Sequence, residues 1–325
     1  MNHRRMILLS FLAPGILSGQ ASIAADYPTG PITFIAPFAA GSTTDAAARV
    51  LAQHMTKTLG QPAVIDNRVG AGGTIGLTGA FRSKPDGYTL VFTSLSAQII
   101  SSFSVPGLPW DPATSFTPIG QIAIVPMAMA VSGTLPISSL RELVAYAKSH
   151  PNELTFGTLG SSTAQSLAMA TFMKRTGISM REIPYKTSAQ IFTDVAAGRV
   201  DIVIDNVANI LPILQGGRVR PLAVTTGERV SAMKATPTIS EAMIPGFAMA
   251  SWVGLAAPAG TPPGVIATVS AALKKALDSA EYKEWLQSNG ALPADHTDPK
   301  GFSEFIDSEL NLWRSAAALA GVINK

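Results

Sequence analysis

From Tyr27 onward, short apolar runs of strand length alternate with stretches of helical period, and this alternation constrains the fold more than any other feature of the chain. It is the order of α/β proteins, in which helices pack back onto a sheet. Ile32–Ala36 reads as a buried strand. Within Asp45–Leu59, the residues Ala48, Leu51, Met55 and Leu59 recur at helical steps, and Gly60 ends the run. Strands are expected over Ala63–Asp66 and Tyr88–Thr93, the second after the Pro85-Asp86-Gly87 turn. Ser139 and Glu142 give a capping-box pattern before a helix reaching about Lys148. Leu154–Thr158, Arg181–Pro184, Val200–Ile204 and Val219–Thr225 then read as strands, interleaved with helices over Ala164–Thr176, Ser188–Ala197 and Ala208–Gln215. A last strand, Ser251–Ala257, precedes helices over Val265–Ser279, Glu281–Ser288 and Pro299–Leu319. No repeat and no low-complexity linker divides the chain, so two lobes joined by crossing strands are expected.

The first residues read as an address. Arg4 and Arg5 open the chain, Met6–Leu17 is an apolar stretch too short to span a membrane, and Ser22-Ile23-Ala24 is a small-x-small cleavage pattern. Residues 1–24 are therefore expected to be a signal peptide, and the protein to be periplasmic. Removing Arg4 and Arg5 from the 24 basic residues leaves 22 against 21 acidic ones, a net charge of +1. With only 14% charged residues, such a chain carries no electrostatic footprint for nucleic acid. It has no cysteine, which excludes disulfides, thiolate metal sites, cysteine nucleophiles and a lipidated N-terminal Cys.

Several strings line up in order: PITFIAPFAAGSTTDAAARVLAQ from Pro31, DNRVGAGGTIG from Asp66, KPDGYTLVFTS from Lys84, IPYKTSAQIFTDVAAGRVDIVIDN from Ile183, LPILQGGRVRPLAVTT from Leu211, TPTISEA from Thr236 and SWVGLAAPAGTP from Ser251. Together, over residues 26–325, they closely resemble the tripartite tricarboxylate transporter receptors, also called Bug receptors. The resemblance implies the periplasmic binding protein type II fold: two doubly wound α/β lobes joined by two crossing strands, with residues 25–125 and 248–325 in lobe 1 and 126–247 in lobe 2. It implies a solute in the interlobe cleft, its carboxylate held largely by backbone amides, hydroxyls and ordered water from two facing loops. It also implies delivery to a two-subunit membrane transporter. The expected ligand is a small carboxylate, dicarboxylate, aromatic acid or amino acid, and the expected state a monomer.

The first loop is Phe38-Ala39-Ala40-Gly41-Ser42-Thr43-Thr44-Asp45, between a strand and a helix. The first amides of a helix lack internal partners and carry partial positive charge, and small residues let a ligand approach them. The family usually has two prolines and two glycines where Ala39, Ala40, Gly41 and Ser42 stand, so this version is less rigid and Ser42 adds a hydroxyl. The bland alternative is a plain capping loop, with Thr44 or Asp45 as cap. The second loop, Gly157-Thr158-Leu159-Gly160-Ser161-Ser162-Thr163-Ala164, has three consecutive hydroxyls beside a helix start, which suit a carboxylate or an ordinary N-cap cluster equally. The family often has a His where Ser166 stands. Asp205 and Asn206 end a strand at the open edge where α/β sheets place ligands; Asp205 either pairs with a ligand amine or orients its loop. Thr93, Ser94 and Ser96 follow another strand end. Tyr185 and Lys186 either line the cleft or belong to a solvated loop.

Catalytic patterns are missing. Gly70–Gly76 resembles a nucleotide loop but has Ile75 where the dinucleotide pattern needs glycine. No phosphate-loop lysine motif, HExxH or G-x-S-x-G elbow occurs, and the four histidines are scattered, with His54 and His150 expected on solvated faces. Neither cofactor nor metal is expected. A solute receptor is the leading reading. A sensor presenting its closed form to a membrane signalling partner is the alternative, and a hydrolase is disfavoured for want of a base.

Overall fold

The computed structural model describes residues 27–323, so the expected leader lies outside the described residues. In chain order the elements are β1 (Ile32–Ala36), α1 (Thr43–Leu59), β2 (Ala63–Asn67), α2 (Thr74–Phe81), β3 (Thr89–Ser94), α3 (Ser101–Ser104), β4 (Phe116–Val125), β5 (Met127–Ser132), α4 (Leu140–Ser149), β6 (Thr155–Thr158), α5 (Ala164–Thr176) and β7 (Arg181–Pro184). They continue with α6 (Ser188–Ala196), β8 (Ile202–Asn206), α7 (Val207–Leu214), β9 (Val219–Val224), α8 (Ile239–Ala242), β10 (Ser251–Pro258), α9 (Pro263–Leu277), α10 (Ala280–Ser288), β11 (Leu292–Pro293) and α11 (Pro299–Leu319).

Two sheets form, in the orders β11-β4-β10-β3-β1-β2 and β7-β6-β8-β5-β9. Each pairs strands in parallel (β2-β1-β3 in one, β7-β6-β8 in the other) and adds an antiparallel crossing strand, β10 beside β3 and β5 beside β8. The chain passes from the first sheet to the second through Pro126 alone, between β4 and β5, and returns after β9 to enter β10. At the crossing the segments bind side by side: Thr225 N–H donates to the Met127 carbonyl and Met249 N–H to the Thr225 carbonyl, both at 2.9 Å, while Ser251 pairs with Val125. This ribbon is the hinge.

Helix burial follows the apolar spacing. Leu51 and Met55 of α1 are fully buried in the core under the first sheet, which also takes Val265, Val269 and Leu273 of α9. Each such side chain contributes roughly 1.5–3 kcal/mol. α11 spans both lobes, since its Phe302, Ile306 and Trp313 share one core with Leu95 and Ile99 of the first lobe and Leu167, Phe172 and Ile204 of the second. No helix among the described residues is long and apolar enough to cross a membrane.

Candidate solute-binding site

Strand registers place the loops. Ser94, at the end of β3, pairs with Val253 near the hinge end of β10, and β1 runs parallel to β3. Asn206, at the end of β8, pairs with Met127, the first residue of β5, and β6 runs parallel to β8. The loops after β1 and β3, and those after β6 and β8, therefore open toward the hinge from opposite sheets.

In the first loop Ser42, rather than Thr44 or Asp45, is the N-cap: its Oγ accepts the Asp45 N–H at 3.2 Å. Gly41, at φ +80°, turns its N–H onto Asp45 Oδ2 at 2.9 Å. The same oxygen accepts Arg49 Nε at 2.8 Å, and Oδ1 accepts Asn67 Nδ2 at 2.8 Å; the Asn67 amide also reaches the Phe38 carbonyl at 3.1 Å. Burial alone would raise the Asp45 carboxyl, but the hydrogen bonds from Arg49, Asn67 and Gly41 and the Arg49 charge outweigh it and hold it below the usual carboxylate value. Asp45 is 1% exposed, so the expectation that it faces a ligand is corrected: it clamps the loop from behind. Left facing outward are exposed Ala39 and Ala40, the half-buried Phe38 and Thr44, the Ser42 hydroxyl proton, and the first-turn amides of Thr43 and Thr44 that a helix cannot pair internally.

The second loop is built on a similar plan. Thr163 is the N-cap, its Oγ1 accepting the Ser166 N–H at 3.3 Å, and Gly160 takes φ +113°. The Thr163 hydroxyl, however, donates to the Gly160 carbonyl at 2.8 Å. Thr158 and Ser166 both donate their hydroxyl protons to Oε1 of Glu182 on β7. Of the three consecutive hydroxyls expected to serve a ligand, Thr163 thus has no proton to give, whereas Ser161 and Ser162 are exposed at the loop tip. The buried Ala164 begins the helix whose first amides face the same way. Glu182 makes no ion pair among the described residues.

The remaining candidates divide. Thr93 is 1% exposed and donates to Gln98 Oε1 at 2.6 Å, while the Gln98 amide donates to the Pro112 carbonyl; this buried network braces the loop after β3, and a ligand-facing Thr93 is corrected. Ser94 accepts the Ala97 N–H and caps the following turn, leaving Ser96 exposed. Asp205 Oδ1 accepts the Asn206 N–H at 2.7 Å and Asn209 Nδ2 at 3.1 Å, so of its two readings the loop-orienting one has a geometry. The half-buried Asn206 leads into α7. Tyr185 donates to Asp194 at 2.8 Å, and burial, then that bond, pushes its hydroxyl pKa up to about 12. His54 is not on a solvated face: α10 covers it, with Glu281 Oε2 at 3.3 Å from Nε2. Among the described residues no cluster of His, Cys, Asp and Glu could hold a metal ion.

Two α/β lobes hinged on crossing strands, with small hydroxyl-capped loops opening onto the hinge from both sides, define a two-lobed solute-binding protein. Residues 47–319 match the tripartite tricarboxylate transporter family receptor, and the chain belongs to that family. It is 33% identical over 327 residues to protein BugT of Bordetella pertussis, covering 100% of this chain and 98% of that one. The structure of the periplasmic binding protein BugD superposes with a TM-score of 0.73 at 31% identity, covering 91% of this chain and 99% of that one. Rpa4515 of R. palustris, whose structure was determined with adipate, superposes with a TM-score of 0.76 at 35% identity and the same coverage. The family consists of periplasmic substrate-binding receptors, so this chain is a receptor and not an enzyme.

Proposed function

We propose that this receptor, exported through a cleavable leader ending at Ala24, captures a small carboxylate between its lobes and presents the closed form to a two-subunit membrane transporter. One observation carries the reading. Two helix N-termini, of α1 and α5, lie at the hinge-facing ends of opposite sheets, each opened by a positive-φ glycine and capped by a hydroxyl. Helix N-termini attract anions through unpaired amides and the aligned peptide dipoles. None of the loop residues carries a positive charge. Neutral donors suit a carrier, because they hold an anion without burying a cation that would be stranded when the solute leaves. Closure would bring the Ser42 and Ser161–Ser162 loops onto one carboxylate, with Ser96, Tyr185 and Asn206 toward the rest of the solute and Asp205 orienting the loop that carries Asn206.

The test is a thermal-shift screen over mono-, di- and tricarboxylates, aromatic acids and amino acids, with adipate as the first probe. A cognate acid at a hundredfold excess over its Kd should stabilise the receptor by about 2.7 kcal/mol, and X-ray scattering should show compaction. Intact mass of the exported chain checks the cut. A tight acid that leaves the radius of gyration unchanged would remove the closure model, and a screen without any responding acid would remove the carboxylate.

A further inference from the structure

Behind the second cleft loop stands a charge that works against an acid. Glu182 of β7 is half-buried there and forms no ion pair among the described residues, so it repels any anion the loop would hold. Its hydrogen bonds give its presence a different reason. Strand register pairs Glu182 with Phe156, two residues before Thr158, so the three share the sheet face on which α5 packs. On that face Oε1 accepts the hydroxyls of Thr158, 1% exposed, and of Ser166, 3% exposed, the second at 2.8 Å.

From these two hydroxyls the bonds run on into a closed ring. Thr158 Oγ1 accepts the Gly160 N–H at 3.1 Å, and the Gly160 carbonyl accepts the Thr163 hydroxyl at 2.8 Å. Thr163 Oγ1 accepts the Ser166 N–H at 3.3 Å, and the Ser166 hydroxyl returns to Glu182. Gly160, at φ +113°, is the least constrained residue of the loop, and the ring pins the peptide on each side of it. In a planar trans peptide the N–H points opposite to the carbonyl. With the Gly160 carbonyl turned onto the Thr163 hydroxyl and N–H, the Ser161 N–H is turned away from them. That N–H donates to no group among the described residues, and Ser161 is exposed at the loop tip.

We propose that Glu182 is a positioning residue of the solute site: it closes the ring that fixes Gly160 and so aims the Ser161 amide at the acid, without touching the acid itself. The ring needs an oxygen that accepts from two buried hydroxyls, and it does not need the charge. This role rests on the cleft being the solute site.

Glu182→Gln keeps the acceptor oxygen and drops the charge, whereas Glu182→Leu removes both. Amide relaxation measured by NMR on the solute-free receptor should show Gly160, Ser161 and Ser162 as ordered as β6 in the wild type and in Glu182→Gln, and loosened in Glu182→Leu. This readout needs no solute, so it decides the ring even where adipate gives no heat. Calorimetric titration with adipate should show about tenfold weaker binding in Glu182→Leu, the equivalent of one buried hydrogen bond. Glu182→Gln should bind adipate at least as tightly as the wild type. A residue serving stability alone would lower the melting temperature of Glu182→Leu and leave both readouts unchanged, which would overturn the proposal. Equal losses in Glu182→Gln and Glu182→Leu would overturn it too, since the effect would then belong to the charge. Thr158→Val opens the same ring from its other side and decides by the same readouts if Glu182→Leu does not fold. Loss of adipate in Ser42→Asp with none in Glu182→Leu would remove the positioning role alone. Undiminished adipate binding in folded Ser42→Asp would instead remove the first loop from the site, and with it the cleft reading.

Discussion

The loop into α1 and the loop into α5 share a hydroxyl cap, a positive-φ glycine and a carboxylate close behind them, but the carboxylate is balanced in one and not in the other. Asp45 is met by the Arg49 guanidinium and the Asn67 amide, so the first loop is braced at no net charge and the Ser42 proton stays available. Glu182 is met by two neutral hydroxyls, so the second loop keeps a negative charge and gives up the protons of Thr158 and Ser166 to it. A carboxylate beside an anion site is therefore a brace when a cation shares it, and a bias against the anion when none does. If both loops grip one solute carboxylate, the first supplies most of the attraction and the second mainly shape.

The largest expected effect comes from placing a new charge on each cap. Aspartate is as good an N-cap as serine or threonine, so Ser42→Asp and Thr163→Asp should both fold. At ~4 Å and an effective dielectric of about 20, like charges repel by roughly 4 kcal/mol, nearly a thousandfold in affinity. Calorimetric titration with the tightest acid should show losses of this order in both. Near-wild-type affinity in either folded variant would take that loop out of the site.

Removing the brace comes next. Asp45→Asn leaves Arg49 without its ionic partner, though Asn67 Oδ1 still accepts from its Nη2 at 3.1 Å, and should cost about 2 kcal/mol in urea unfolding, with weaker acid binding. Because the native Asp45 carboxyl is held below its usual value, its contribution is complete above the ordinary carboxylate range and is lost as pH falls through the depressed native value. The stability gap between wild type and Asp45→Asn should thus be flat from pH 7 down to about 4, and close only below that. A gap that persists in stronger acid would mean that the brace is not ionic.

Glu182→Gln gives the smallest effect and the opposite sign. Removing an unbalanced charge several ångströms from the anion should tighten acid binding by about 0.5–1 kcal/mol at low salt, less as salt is raised. Weaker binding would break the contrast between the two loops.

Much of this arrangement is legible from local chemistry. Ala164–Thr176 and Pro299–Leu319 begin and end where the sequence reading places them, because Thr163 and Gly177 bracket one, and Asp298 with Pro299 opens the other. Both loops are visible through their small residues and caps. Of the strands at the crossing, β10 is legible but β4 and β5 are not: Phe116–Ser132 carries no strand expectation, since Ile119–Val131 is rich in Ala and Met and largely buried, so the two-residue alternation is lost. α2 is hidden by its two internal glycines and the glycine run before it. Asn67 and Glu182, which decide the charge balance of the loops, escape notice because strand pairing alone brings them there. Thr93 is misplaced for a related reason: a strand end names a location, but the pleat decides which side chain turns inward.

The sheet order carries a consequence for how the molecule is made. Residues 127–224 contain every strand of the second sheet, so that sheet can form from one unbroken stretch, with α11 completing the core beneath it later. The first sheet cannot, because β10 lies between β4 and β3 and does not exist until Ser251–Pro258 has emerged. Until then β3 and β4 each present an unpaired apolar edge, Leu90–Phe92 on one and Ile119–Ala123 on the other, the kind of edge that recruits a stray strand. The N-terminal third of the chain is thus the first synthesised and the last completed, and it is the part that most needs shielding on its way to the native state.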